Sequence, residues 1–273
     1  MDVLKRNNVS VSGTGSQALV FVHGFGCDQR MWRLVAPAFE DRYRVVLLDL
    51  VGAGQSDLTA YDPARYSTLD GHADDVLAVL AALDLHHVAV VGHSVSAMIA
   101  VLAALREPTR IDRLVLVGPS PRYINDAGYT GGFEQADIEE LLEAMDQNYL
   151  GWSGAITPVI MGHPERPELA AELNASFCRT DPAIARHFAR VTFLSDNRAD
   201  VAALAKRRLP VLIVQCAHDA IAPVAVGEYL HRQLPASELV VLDTTGHCPH
   251  LSVPQATIDA IDQFLAAART AEV

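Results

Sequence analysis

Apolar residues in this chain gather into short unbroken runs set between longer mixed stretches. The runs cover 18–22, 45–48, 88–91, 114–117, 211–214 and 239–242. A strand with one wet face alternates apolar and polar residues, whereas a strand covered on both faces is apolar throughout. The runs therefore predict strands of a parallel sheet clad on both sides. Most are separated by helical spacing: Val76, Leu77, Leu80 and Leu83 share one helical face, as do Ile258, Ile261 and Phe264. Strands alternating with helices imply right-handed crossovers and a mostly parallel, doubly wound α/β sheet. Weak alternation around Val9 to Val11 predicts an added antiparallel edge.

The alternation stops between Pro119 and Leu209, where no strong strand run occurs. Ile138, Leu141, Leu142, Met145 and Tyr149 repeat at helical spacing, as do Ile184, Phe188 and Val191. Turn signals at Gly131-Gly132, Gly151, Gly162-His163-Pro164 and Thr180-Asp181-Pro182 divide the stretch. The expectation is a core domain of residues 1–119 and 209–273 with a four-helix lid over 120–208, seated above the carboxyl ends of the strands, where open α/β sheets bind ligands.

Bulk properties narrow the class. A chain of 273 residues, half of them hydrophobic, suits one α/β domain with an insertion. Its net charge of −12 argues against nucleic acid and against anionic membrane surfaces as partners. The first residues, Met1 to Asn8, contain no apolar secretory segment, and no stretch is apolar enough to span a bilayer. Cys27, Cys178, Cys216 and Cys248 are scattered, as expected of reduced thiols in the cytoplasm.

Candidate chemistry centres on Gly92-His93-Ser94-Val95-Ser96, between the run 88–91 and a helix-like run from Ala97 to Leu105. Strand, sharp turn at a serine, then helix is the setting of a nucleophile elbow, although the usual last glycine is here Ser96. A serine hydroxyl needs a base, and the base needs an orienting acid. The chain order serine, acid, histidine is supplied by Ser94, Asp219 and His247, the latter two on loops after strands. Asp243 and His250 are rivals for the acid and base, and His93 and His218 read as structural or rim residues. The oxyanion donors would be the N–H groups of Val95 and of Phe25, in His23-Gly24-Phe25-Gly26. Gly52-Ala53-Gly54-Gln55-Ser56 lacks a full phosphate-loop fingerprint, and His247-Cys248-Pro249-His250 lacks companion zinc motifs, so neither a cofactor nor a metal is expected.

With those residues in hand the chain resembles the α/β-hydrolase superfamily. Within it, the chain is similar to the group of the bacterial sigma-factor regulator RsbQ and the plant strigolactone and karrikin receptors. The likeness rests on strings such as Gly24-Phe25-Gly26-Cys27-Asp28-Gln29, Asp49-Leu50-Val51-Gly52-Ala53-Gly54-Gln55-Ser56-Asp57, Val117-Gly118-Pro119-Ser120-Pro121-Arg122-Tyr123 and Asn148-Tyr149-Leu150-Gly151-Trp152. Ser96 matches the plant side better, whereas Gln215-Cys216 and His247-Cys248-Pro249-His250 favour the bacterial side. The resemblance implies a four-helix lid over an apolar pocket lined by Phe25, Tyr123, Trp152 and Phe193, which Phe188 joins by helical spacing. It implies slow hydrolysis of small hydrophobic esters or lactones, and signalling through a protein partner, a PAS-domain phosphatase for RsbQ-like members. Carbon–carbon bond hydrolysis and hydroxynitrile cleavage stay open, because fold and triad do not fix the reaction.

Overall fold

The computed structural model describes residues 2–270. Each apolar run lies in a strand: β2 (Ala18–Val22), β3 (Arg44–Leu48), β4 (Val88–His93), β5 (Ile111–Val117), β6 (Val211–His218) and β7 (Ser237–Thr245). A short β1 (Ser10–Ser12) pairs antiparallel with β3, Val11 opposite Val46, so the weak N-terminal alternation does form an edge. The sheet order is β1-β3-β2-β4-β5-β6-β7, and every pair beyond β1 is parallel.

The central strands are covered on both faces, so the runs 18–22, 88–91 and 114–117 carry no polar residue, whereas β7 at the edge is largely open and exposes Val241. Leu19 and Phe21 of β2 enter one apolar cluster, with Trp32, Phe39 and Val91; Ala18, Val20 and Val22 enter the other, with Val90 and Leu116. The helices are α1 (Val3–Arg6), α2 (Asp70–Ala82), α3 (Val95–Arg106), α4 (Gln135–Gln147), α5 (Tyr149–Met161), α6 (Pro167–Arg179), α7 (Pro182–Phe193), α8 (Arg198–Ala205), α9 (Val224–Gln233), α10 (Pro249–Ser252) and α11 (Pro254–Thr270). Helices α2, α3 and α8 lie in the second cluster, whereas α11 and the inner sides of α4 to α6 lie in the first. The stretch after β5 thus holds five helices. The fifth, α8, packs mainly on α3 and α9, and its buried Val201 and Leu204 join the second cluster. Among the described residues no helix is long and apolar enough to cross a membrane.

Candidate active site

β4 ends in a bend that places Ser94 between sheet and helix. Ser94 has φ 56° and ψ −123°, a backbone region that a residue with a β-carbon avoids, at a cost of about 1–3 kcal/mol. Its N–H donates to the Val117 carbonyl at 2.8 Å, which anchors the bend to β5. Gly92 has no alternative: a β-carbon there would lie 2.3 Å from the Ser96 carbonyl oxygen. Ser96 does more than stay small, because its hydroxyl donates to the His23 carbonyl and so ties the elbow to the loop that carries Phe25. α3 begins at Val95, whose N–H is a first-turn donor with no partner inside the helix.

Two loops from the far strands complete a hydrogen-bonded row. The Ser94 hydroxyl lies 2.8 Å from His247 Nε2, and His247 Nδ1 lies 2.6 Å from Asp219 Oδ2. The other carboxylate oxygen of Asp219 accepts from the N–H groups of Ile221 at 2.8 Å and Ala222 at 3.0 Å, so the side chain has one orientation. His247 is fixed through its backbone: its N–H donates to the Ile160 carbonyl of α5 at 2.7 Å, and its carbonyl accepts from His93 Nε2 at 2.9 Å. Gly246 makes the turn possible, with φ 90° and room for hydrogen alone beside the Met161 carbonyl, which a β-carbon would approach to 2.0 Å. The end of α5 and the histidine loop are therefore in direct backbone contact.

The rivals sit elsewhere. Asp243 is exposed within β7. His250 is fully buried, its ring packed on Trp32 at 4.6 Å and on His93 at 4.5 Å. His218 is exposed, and its carbonyl accepts from the Gly246 N–H at 2.8 Å. His93, Cys248 and His250 do bring ligand-type atoms within 4.8 Å of one another. Of these, His93 Nε2 is already engaged, donating to the His247 carbonyl at 2.9 Å.

Burial sets the electrostatics around the row. It pushes the His250 imidazole down to about 3 and holds His93 well below the usual histidine range, so both rings are neutral at pH 7. It pushes the Cys27 and Cys248 thiols far up, which leaves them protonated and poor rivals to Ser94 as nucleophiles.

In front of Ser94 lies a narrow apolar cavity of about 40 Å³, room for about three waters. Phe25, Tyr123, Trp152 and Phe193 line it. Phe25 is the hub, its ring 5.6 Å from Phe177, 6.0 Å from Phe193 and 6.5 Å from Trp152. Phe188 does not reach this wall. It stands behind Phe25 at 5.8 Å and against His72 at 4.8 Å, bordering a separate crevice with Gly52 and Ile184. Five residues before Phe193 on α7, it points to a different side of the helix. The wall also contains Leu141, Ile156, Ile160, Leu173, Phe177 and Thr192, which no motif in the sequence marks. Their signal was present. Trp152, Ile156 and Ile160 follow one another at four-residue steps, as do Leu169, Leu173 and Phe177, but such stripes read as packing until their neighbour is known.

Comparison with known proteins identifies the family. Residues 17–254 match the family described as alpha/beta hydrolase fold, and the chain belongs to that family. It is a hydrolase of α/β-hydrolase type. It is 41% identical over 254 residues to a strigolactone esterase of Arabidopsis thaliana, covering 93% of this chain and 94% of that one. It is 40% identical over 260 residues to a karrikin insensitive 2 receptor of Petunia hybrida, covering 95% of each. Among solved structures it superposes on a hydrolase from Oleispira antarctica with a TM-score of 0.93 at 42% identity, covering 97% of this chain and 96% of that one.

Proposed function

We propose that the protein is a serine hydrolase of small hydrophobic esters or lactones that works through an acyl-enzyme. The observation that carries this is the continuous row Ser94–His247–Asp219 opening on an aromatic cavity. Ser94 attacks the carbonyl carbon. His247 Nε2 takes the serine proton and passes it to the departing alcohol, and Asp219 holds the ring by its Nδ1–H. The N–H groups of Phe25 and Val95 face the oxygen on which negative charge grows. Water then releases the acyl group by the same proton path in reverse. Phe25, Tyr123, Trp152 and Phe193 hold the apolar part of the substrate. A cavity this small excludes a bulky substrate unless rings or cap helices shift, so turnover is tied to movement of the segment 120–208. The Arabidopsis relative, a strigolactone esterase, supports the substrate class. The buried free thiols of Cys27, Cys216 and Cys248 suit a reducing compartment, the cytoplasm.

A second reading has support of its own. The Petunia relative is named a receptor, and α5 is bonded directly to the histidine loop, so turnover would be felt in the cap. In that reading the cap signals to a protein partner, of which a PAS-domain phosphatase is the RsbQ-like choice. A panel of p-nitrophenyl acetate, p-nitrophenyl butyrate and a five-membered lactone tests the first reading. It predicts hydrolysis that Ser94→Ala reduces by about four powers of ten or more. Hydrolysis equal in wild type and variant would overturn it. Retention of a phosphatase on the immobilised protein, lost when α5 and α6 surface residues are charged, tests the second.

A further inference from the structure

Tyr123 follows β5, is 1% exposed, and presents its hydroxyl to Ser94 Oγ at 3.4 Å. Which of the two oxygens gives the proton follows from the rest of the row. Ionised Asp219 can only accept, so His247 Nδ1 carries a hydrogen and donates it. A neutral ring then has a lone pair on Nε2, and Ser94 gives its one hydrogen there. The remaining hydrogen, that of Tyr123, points at the serine oxygen. Burial raises the phenol well above its ordinary range, so it keeps that hydrogen throughout the working pH range.

A donor on the nucleophile has unequal effects on the two halves of an acyl-enzyme cycle. During attack it is already bonded to the neutral serine oxygen, so the transition state gains little over the resting state. During release, Oγ is the leaving atom. Water adds to the acyl carbon, His247 takes a water proton, the carbon–Oγ bond breaks, and its electron pair stays on Oγ until His247 returns a proton. A neutral O–H beside a growing oxyanion shortens its contact and strengthens it about twofold over a neutral pair.

Resting on the hydrolase reading above, we propose that Tyr123 is a further catalytic residue, specific to deacylation, whose hydroxyl stabilises Ser94 Oγ as the acyl group departs. It keeps its own proton and forms no covalent bond. Without it, acylated protein persists.

Carbamoylation separates the two halves. Wild type and Tyr123→Phe are each treated with p-nitrophenyl dimethylcarbamate, and uptake is followed by nitrophenol release. Reagent is then removed, and recovery is followed by loss of the carbamoyl mass from Ser94. Recovery is expected to slow by about tenfold in Tyr123→Phe, and uptake by far less, so that the ratio of recovery to uptake falls at least about fivefold. Equal slowing of both steps, or recovery at the wild-type rate, overturns the proposal. A wild type that takes up no carbamoyl group on Ser94 overturns the hydrolase reading itself, and with it this one.

Discussion

Around Ser94 each reacting group is fixed by directed bonds, whereas the helices above it enclose the same cavity with rings and aliphatic chains. On the sheet side, a strained backbone, two N–H donors on Asp219 and backbone bonds at both ends of His247 leave one arrangement. On the cap side, Leu141, Trp152, Ile156, Phe177 and Phe193 meet the cavity through non-directional contact, which many arrangements satisfy almost equally well. The two regions also meet at polar points, among them Tyr61 with His187, Arg33 with Glu172 and Arg166 with the Ser252 carbonyl. Another is the His247 N–H on the Ile160 carbonyl, and a further one is Asp28, which accepts from Arg30 on the core side and from Arg179 of α6. On the proposed function, the chemistry falls to groups held by directed bonds, and the choice of substrate to the apolar wall.

The division can be broken from either side. The largest effect belongs to the rigid row. Asp219→Asn keeps the volume but favours the wrong imidazole tautomer, and kcat is expected to fall by about 10⁴-fold with little change in KM. A fall of less than tenfold would mean that the row does not act as a unit.

In the cap a comparable truncation should move selectivity and spare the chemistry. Trp152→Ala enlarges the wall beside Phe25, so kcat/KM for p-nitrophenyl hexanoate relative to acetate is expected to rise about tenfold. An equal loss on both esters would show that the ring supports the row instead of sizing the substrate.

The smallest effect is at the Asp28 junction. Burial alone would raise its carboxyl, but hydrogen bonds from Arg30 and Arg179 hold it down at about 2. A depressed acid stabilises the fold above its unfolded value of about 3.9, and that stability disappears as pH falls towards 2. Asp28→Asn should therefore melt below wild type at pH 7, with the gap closing between about pH 4 and pH 2. A gap independent of pH would remove the carboxylate from the junction.

The same contrast explains what the sequence disclosed. Strands buried on both faces leave an unbroken apolar signature, so β2 to β6 were legible, and the order serine, aspartate, histidine pointed to Ser94, Asp219 and His247 because loops after parallel strands open on one edge. The elbow's dependence on the Ser96 hydroxyl was not legible, since a small residue and a hydrogen-bonding one look alike until His23 is seen beside it. Nor was the cap wall. Phe188 and Phe177 are both aromatic on amphipathic helices, and only packing shows that Phe177 faces Ser94 while Phe188 is turned to His72. Where α8 packs is hidden for the same reason, since its apolar face gives no hint that α3 receives it.

Ser94 as the nucleophile is the assignment on which every other proposed role depends. Phenylmethylsulfonyl fluoride followed by peptide mass mapping tests this most directly. The expected result is one sulfonyl adduct, on the peptide containing Ser94, with ester cleavage lost in proportion to its yield and the adduct absent from His247→Ala. Complete ester cleavage by a protein carrying that adduct in full, or an adduct on another residue that tracks the loss, would contradict it.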